Sequence, residues 1–358
     1  MQRTYRAAAI GSTGRGGFGH GLDVVFRDLP GVSFVAIADD NAEGLRAAGQ
    51  RNRVHHLYGD YRQMLAGEQI DVVSVGMRHT DRHEEVVVAC AEAGAHVFCE
   101  KPLAPDLAAA DRMLAACRRN GVKIAVATQN RASLAVRKAL QLVRAGRLGR
   151  LLALRGRGKE DHRGGGEDLM VLGFHIMDLI RAFGGEGQWA FAHVRQNGRD
   201  MVKSDAHPAT EPIGPVAGDA VAAMFGLASG AHAYFESHRG LTHTADRFSL
   251  EIVGSEGTIS LRSLRDVMWL DRPVYNPAQP ADWQPITTPE WETIENKSHW
   301  CNRQLVLDLL KAAEEEREPM ASGADGRAAL EMIQAVYASH LAGRRLSLPL
   351  ELREHPLS

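Results

Sequence analysis

Cysteine is scarce in this sequence: only Cys90, Cys99, Cys117 and Cys301 occur in 358 residues. Their spacing matches neither a metal centre nor a disulfide framework, so a stapled secreted scaffold and a thiolate cluster are both excluded. The four thiols read as reduced, buried small hydrophobes. Charge of one sign is also missing. A net charge of −2 gives no electrostatic footprint for a nucleic-acid or membrane-surface partner. No apolar run reaches the length of a membrane span, and no apolar leader precedes the first strand-like run, so a cytoplasmic protein is expected. The sixteen histidines are scattered, His55 and His56 reading as a surface pair, and no metal site is expected. Repeats and low-complexity tracts are absent as well. What is present, 44% hydrophobic and 24% charged residues, is the composition of a globular protein long enough for two cores.

The most informative stretch is the first. An apolar run, Arg6–Ile10, passes directly into Gly11-Ser12-Thr13-Gly14-Arg15-Gly16-Gly17. A second run, Val32–Ala38, ends in Asp39. Strand, glycine-rich turn, helix, strand and terminal carboxylate make up the unit that wraps a dinucleotide. Gly11, Thr13, Gly14, Arg15 and Gly16 would approach a pyrophosphate favoured by the N-terminus of the following helix. Asp39 would accept the ribose hydroxyls and repel a 2′-phosphate, so NAD is the expected cofactor rather than NADP. Position 13 is Thr where the glycine pattern asks for Gly, and Asp40 reads as a solvated neighbour.

Further along, Asp71–Gly76, Ala95–Phe98 and Lys123–Ala127 read as buried strands, alternating with helices such as Arg82–Ala93 and Leu107–Asn120. That alternation predicts a parallel sheet covered on both faces. After Thr128 the pattern changes. A helix over Ser133–Ala145 and a strand over Leu151–Arg157 lead into a charged, glycine-rich loop, Lys159–Gly166. One helix is expected over Asp168–Phe183. Short alternating segments then run from Phe191 to Leu261 and predict an antiparallel sheet. Residues 271–290 read as loop, and two helices, Cys301–Glu316 and Gly326–Ala342, close the chain. The expectation is an α/β protein with a Rossmann domain over 1–128 and an α+β domain over 129–358 built on an open, mostly antiparallel sheet, the last helices packing back on the first domain.

The sequence resembles the glucose–fructose oxidoreductase / inositol dehydrogenase / rhizopine-catabolism superfamily (Gfo/Idh/MocA). The resemblance rests on the glycine loop, Ala36–Asp39, Ala93–Leu103 with its Glu100-Lys101-Pro102 tripeptide, Gly173–Asp178 and Gly254–Ile259. It implies NAD(P)-dependent dehydrogenases or reductases of sugars and polyols, with substrate between the second domain's sheet and the nicotinamide. It also implies assembly through that sheet as dimers or dimers of dimers.

Glu100 and Lys101 lie at the carboxyl end of a predicted strand, where open α/β sheets bind ligands. Lys101 can donate to a substrate hydroxyl or, with burial lowering its pKa, act as base. His175 and Asp178 share a helix face at i and i+3, a pairing suited to proton transfer, or to a structural pair. The family places an Asp four residues before this His, and here that residue is Val171. Asp168, two turns before His175 on the same predicted helix, either replaces that acid or caps the helix. His83 is the best match to a family His near the cofactor. Gln129 and Arg131 follow a strand end and are expected to touch sugar hydroxyls. Lys159, His162 and Arg163 would clamp an anionic sugar, although Glu160 and Asp161 offset their charge. The leading expectation is an NAD-dependent sugar or polyol oxidoreductase with Lys101, His175 and Asp178 as catalytic residues. The alternatives are a redox-neutral NAD-dependent glycosidase and a cofactor-binding sensor without catalysis. A homodimer or homotetramer is expected because Phe225, Tyr234 and Phe248 would otherwise line a bare sheet face.

Overall fold

The computed structural model describes residues 4–241, 248–263, 266–272 and 283–358. It divides into two compact units. The first comprises residues up to 129 together with 211–214 and 298–327; the second comprises 130–210, 215–297 and 328–358.

In the first unit six strands form a parallel sheet: β1 (Tyr5–Gly11), β2 (Val32–Asp39), β3 (His56–Tyr58), β4 (Val72–Val75), β5 (His96–Cys99) and β6 (Ile124–Val126). Their order, β3-β2-β1-β4-β5-β6, reverses direction of growth between β1 and β4 and so creates a switch point at the carboxyl ends. The strands β1, β2, β4 and β6 are rich in Ala, Val and Ile because both faces are covered. The helices α1 (Ala42–Asn52), α2 (Tyr61–Gly67), α3 (His83–Glu92) and α4 (Leu107–Arg119) connect them. Asn41, Asp60 and Asp106 cap α1, α2 and α4 with their side chains.

The helix expected after the glycine loop is absent. Residues 12–30 run as successive turns. Gly14, Gly16, Gly17, Gly19 and Gly21 all have positive φ, a conformation that an α-helix cannot contain. Phe18 occupies the space instead, joining a cluster of Ala9, Ile37, Leu45, Ala48 and Val54. Its ring sits so close over Gly11 that a Cβ there would lie 2.6 Å from it. His55 and His56 are both exposed, as the surface-pair reading expects, and His56 starts β3 with its Nδ1 on Glu68. Residues 298–327 add most of a long helix, Lys297–Glu314, whose Arg303 donates to the main-chain oxygens of Arg27 and Asp28.

The second unit opens with α5 (Leu134–Arg144), capped by Ser133, and β7 (Leu151–Arg157). The single helix expected from Asp168 is two: α6 (Gly166–Val171) and α7 (Gly173–Gly184), interrupted at Leu172. Then come β8 (Gly187–Gln196), β9 (Arg199–Asp200), β10 (His207–Pro208), β11 (Pro215–Val216), β12 (Ala220–Leu227), β13 (His232–His238), β14 (Ser249–Gly254), β15 (Thr258–Arg262), β16 (Asp266–Leu270) and β17 (Gln284–Pro285). The chain continues with α8 (Pro289–Thr293), α9 (Lys297–Glu314, already placed), α10 (Gly323–Ala342) and β18 (Leu346–Ser347). Among the described residues one large sheet has the order β17-β16-β15-β14-β7-β13-β12-β8-β18. Every pair is antiparallel except β13 with β7. The open, mostly antiparallel sheet is therefore as expected. The stretch 271–290 is not all loop, since it contributes β17 and the start of α8; its residues 273–282 lie outside the described ones.

The helices α6 and α7 cover one face of this sheet, packing on β7, β12, β13 and β14. Phe225 is fully buried, not on the bare face as expected. Strand pairing sets Met224 opposite both Phe191 and Tyr234, so those three form the outward row and Phe225, one residue on, points the other way. Phe248 precedes β14 and is half-buried.

Candidate active site

The first unit carries the glycine loop, and the cavity beside it has a volume of about 260 Å³, bordered by Gly11, Asp39, Asp40, Asp60, Arg62 and Arg82 among others. It lies at the carboxyl ends of β1 and β2. Gly14 and Gly17 have no atom within 4 Å of where a Cβ would stand, and the Gly17 amide donates back to the Ser12 carbonyl at 3.0 Å. The loop amides of Thr13, Arg15, Gly17 and Gly19 donate within the protein, so a dinucleotide's phosphates fit at the open turn around Gly14, without the helix N-terminus that the sequence suggested. Gly16 lies beneath Arg78. Arg15 reaches out to His79 Nδ1 at 3.2 Å.

Two expected cofactor contacts are placed differently. Asp39 is 2% exposed and its carboxylate accepts from the Thr13 amide and hydroxyl and the Asn41 amide. It latches the glycine loop to the end of β2. His83 is fully buried, with Nε2 2.6 Å from the Met77 carbonyl and Nδ1 3.0 Å from the Leu103 carbonyl. It ties the loop after β4 to the loop after β5 rather than facing a ligand.

Glu100 and Lys101 follow β5 and are both buried, Lys101 being 5% exposed. Burial pushes the Glu100 carboxyl up, but a hydrogen bond from His20 and the nearby His20, Lys101 and His83 more than offset this and hold it below the usual range. His20 Nδ1 meets Glu100 Oε1. Sequence reasoning missed His20; the signal was a histidine set between Gly19 and Gly21, each with positive φ, which folds the loop back over the ends of β4 and β5. Gly19 makes that approach possible, since a Cβ there would stand 2.9 Å from the Gly76 carbonyl.

In the second unit, His175 lies in the first turn of α7, 6% exposed. Asp178 is not simply its partner. Its carboxylate receives Arg131 Nε at 2.8 and 2.9 Å, and its main-chain oxygen receives Arg131 Nη2. Asp178 and Arg131, expected in catalysis and sugar binding, thus form a buried ion pair between α7 and the turn Gln129–Ala132. Gln129 opens that turn half-buried.

Asp168 neither caps α6 nor shares a continuous helix with His175. Gly165 holds the cap position. The Asp168 carboxylate accepts from the Glu160 amide at 3.0 Å and the Ser237 hydroxyl at 2.6 Å, while Oδ1 is buried without a partner. Burial is the main cause that raises its pKa. Val171 is 2% exposed, an apolar packing residue.

The cations of the Lys159–Gly166 loop converge on Asp161. Arg163 Nη2 lies at 2.9 Å, Lys159 Nζ at 3.4 Å and His162 Nδ1 at 3.8 Å from its carboxylate. Partial burial pushes that carboxyl up, but hydrogen bonds and charge from Arg163, with Lys159, hold it far below the usual range. The expected anion clamp is therefore internally neutralised. Glu160 is fully buried and accepts from the His238 amide.

A six-stranded parallel sheet with a glycine loop at its switch point defines a dinucleotide-binding α/β unit, here joined to a second unit built on an antiparallel sheet. Comparison with known proteins narrows this. Residues 5–128 match the family model for the oxidoreductase family with an NAD-binding Rossmann fold, and residues 136–260 match the GFO/IDH/MocA C-terminal domain. The chain belongs to the GFO/IDH/MocA family. It is 28% identical to D-apiose dehydrogenase of Paraburkholderia graminis, over 90% of this chain and 85% of that protein. It is also 28% identical to myo-inositol 2-dehydrogenase of Thermotoga maritima, over 64% of this chain and 68% of that one. Its fold superposes on levoglucosan dehydrogenase in complex with NADH and levoglucosan, with a TM-score of 0.79 and 23% identity over 97% of this chain and all of that one. No helix among the described residues is long and apolar enough to cross a membrane.

Proposed function

We propose that this NAD-binding oxidoreductase oxidises a ring hydroxyl of a neutral sugar or polyol. The observation that carries the reading is Lys101, a lysine buried at the carboxyl end of β5 beside a buried, ionised Glu100. Bound NAD supplies the hydride acceptor. Lys101 receives the hydroxyl proton. In the second unit, His175, buried at the start of α7, has the imidazole suited to a second acid–base role. Asp178 and Arg131 hold α7 in place, and Thr13 and Asp39 hold the glycine loop. The neutralised Lys159–Gly166 loop favours an uncharged substrate over an anionic one. The dehydrogenase names of the relatives point the same way.

The test is NADH formation on a panel of D-apiose, levoglucosan and myo-inositol. A second reading, NAD-dependent glycosidase, is favoured by one feature: Val171, buried and apolar where sugar dehydrogenases resembling this chain carry Asp. Release of an aglycone without net NADH would select it. We further infer that the outward row Phe191, Met224 and Tyr234, with Phe191 47% and Tyr234 39% exposed, is covered by the same face of a second copy.

A further inference from the structure

Within the first unit, the side chain that meets the buried carboxylate at the end of β5 is His20. It belongs to the run of turns after β1, between Gly19 and Gly21, both of positive φ. A Cβ on Gly19 would stand 2.9 Å from the Gly76 carbonyl oxygen and 3.1 Å from Glu100 Oε1. Only a glycine leaves the loop free to lie directly on the carboxylate, and His20 Nδ1 then bonds Glu100 Oε1. That nitrogen donates to a carboxylate both in the neutral Nδ1–H tautomer and in the imidazolium. The Glu100 side chain is 1% exposed and that of His20 40%, so the pair joins a buried acid to a ring in contact with solvent. Glu100 Oε2 is buried with no hydrogen-bond partner. The bond from His20 is thus the one hydrogen bond this carboxyl group has among the described residues.

We propose that His20 is a positioning residue of the oxidation, holding the Glu100 carboxylate in place as the counter-charge for Lys101. The inference rests on the reading of Lys101 as the group that takes the substrate proton, and deepens it. When neutral Lys101 accepts that proton, the substrate O–H bond breaks, an N–H bond forms and the lysine becomes an ammonium ion. Lys101 is 5% exposed, and a cation formed away from water is costly unless an anion lies close by. Glu100, the preceding residue and likewise buried, supplies that anion only while it stays ionised. Burial favours its neutral form; the His20 hydrogen bond, with the charges of His20, Lys101 and His83, outweighs burial. Of the groups around this carboxylate, His83 on α3 is taken up by the Met77 and Leu103 carbonyls. Cys99, the last residue of β5, is held as a neutral thiol by burial. His20 alone among these bonds the acid, and it comes from the glycine loop. Without it both carboxyl oxygens are buried with no donor, and Glu100 takes up a proton at neutral pH.

The test reads the protonation of Glu100 and the turnover separately, in the full-length protein. Infrared spectroscopy at neutral pH, without nucleotide, should find in His20→Ala an additional carbonyl stretch of a neutral carboxyl group. Combining His20→Ala with Glu100→Gln should remove that band, and His20→Asn, which keeps a donor near the Nδ1 position, should not produce it. Turnover is NADH formation at saturating NAD on whichever of D-apiose, levoglucosan and myo-inositol the unaltered protein oxidises. It should fall about ten-fold or more in His20→Ala, with KM for the sugar little changed, and recover in His20→Asn. Glu100→Gln should fall as far, and adding His20→Ala to it should cost little more, because both changes remove the same charge. A folded His20→Ala without the new carboxyl band, or with the turnover of the unaltered protein, would overturn the proposal. Turnover retained in Lys101→Ala would instead overturn the reading of Lys101 on which it rests.

Discussion

The Arg131–Asp178 pair gives the sharpest division between a supporting and a reacting role. The Asp178 side chain is 1% exposed and that of Arg131 12%, so truncating the acid strands a buried guanidinium. Breaking such a pair from one side costs about 3–5 kcal/mol. Against a typical stability of about 5–15 kcal/mol, Asp178→Ala should lose about a fifth or more of the unit's margin. Replacing both partners with apolar residues of similar volume, as in Arg131→Met with Asp178→Leu, should recover most of it, since neither charge is then left buried alone. Urea unfolding followed by the fluorescence of the chain's five tryptophans measures both. A loss under about 1 kcal/mol in Asp178→Ala, accompanied by abolished turnover in a protein that still binds NAD, would refute the structural role and restore Asp178 to catalysis.

Asp168 should make stability depend on pH. Its folded pKa is raised, so its contribution is fully present below the ordinary carboxylate pKa of about 4 and is lost as pH rises through the folded value. Asp168→Asn should therefore gain stability relative to the unaltered protein on going from mildly acidic to neutral pH; a constant difference across that range would contradict this. The four thiols are buried, with Cys117 pushed up to about 11 and Cys301 to about 12 by burial; a thiol reagent should find none in the native protein and four after unfolding, and rapid native labelling would oppose the reading. Phe191→Glu combined with Tyr234→Glu should reduce an oligomer to a species near 39.0 kDa by light scattering, whereas an unaltered protein already at that mass would remove the proposed sheet-to-sheet contact.

Much of this architecture is legible in the sequence because burial on both faces leaves an unmistakable composition. The apolar runs of β1, β4 and β5 mark themselves as parallel strands, and Ser133 and Asp106 announce the helices they cap. What escapes is set by long-range partners or by backbone conformation. Five glycines between positions 14 and 21 were a sign that no helix follows β1, since each adopts positive φ. The break at Leu172 separates Asp168 from His175, and helical periodicity alone passes over it. Strand parity decides that Phe225 faces inward while Tyr234 faces out, and that depends on registers seen only once β12 and β13 pair. Within the site, Lys101 and His175 are visible as motif residues. The roles of Arg131, Asp161 and Asp39 are not, because each depends on a partner brought near only by folding.

The account stands on Lys101 as the group that handles the substrate proton in an NAD-dependent oxidation. The direct measurement is the rate of NADH formation by Lys101→Ala on whichever sugar the unaltered protein oxidises, taken with its NAD affinity and unfolding temperature. Loss of a positioned acid–base group costs about a hundred-fold or more, so turnover should fall at least that far while NAD binding and unfolding stay near those of the unaltered protein. A variant that retains turnover to within about ten-fold would contradict the claim and place the chemistry on other residues.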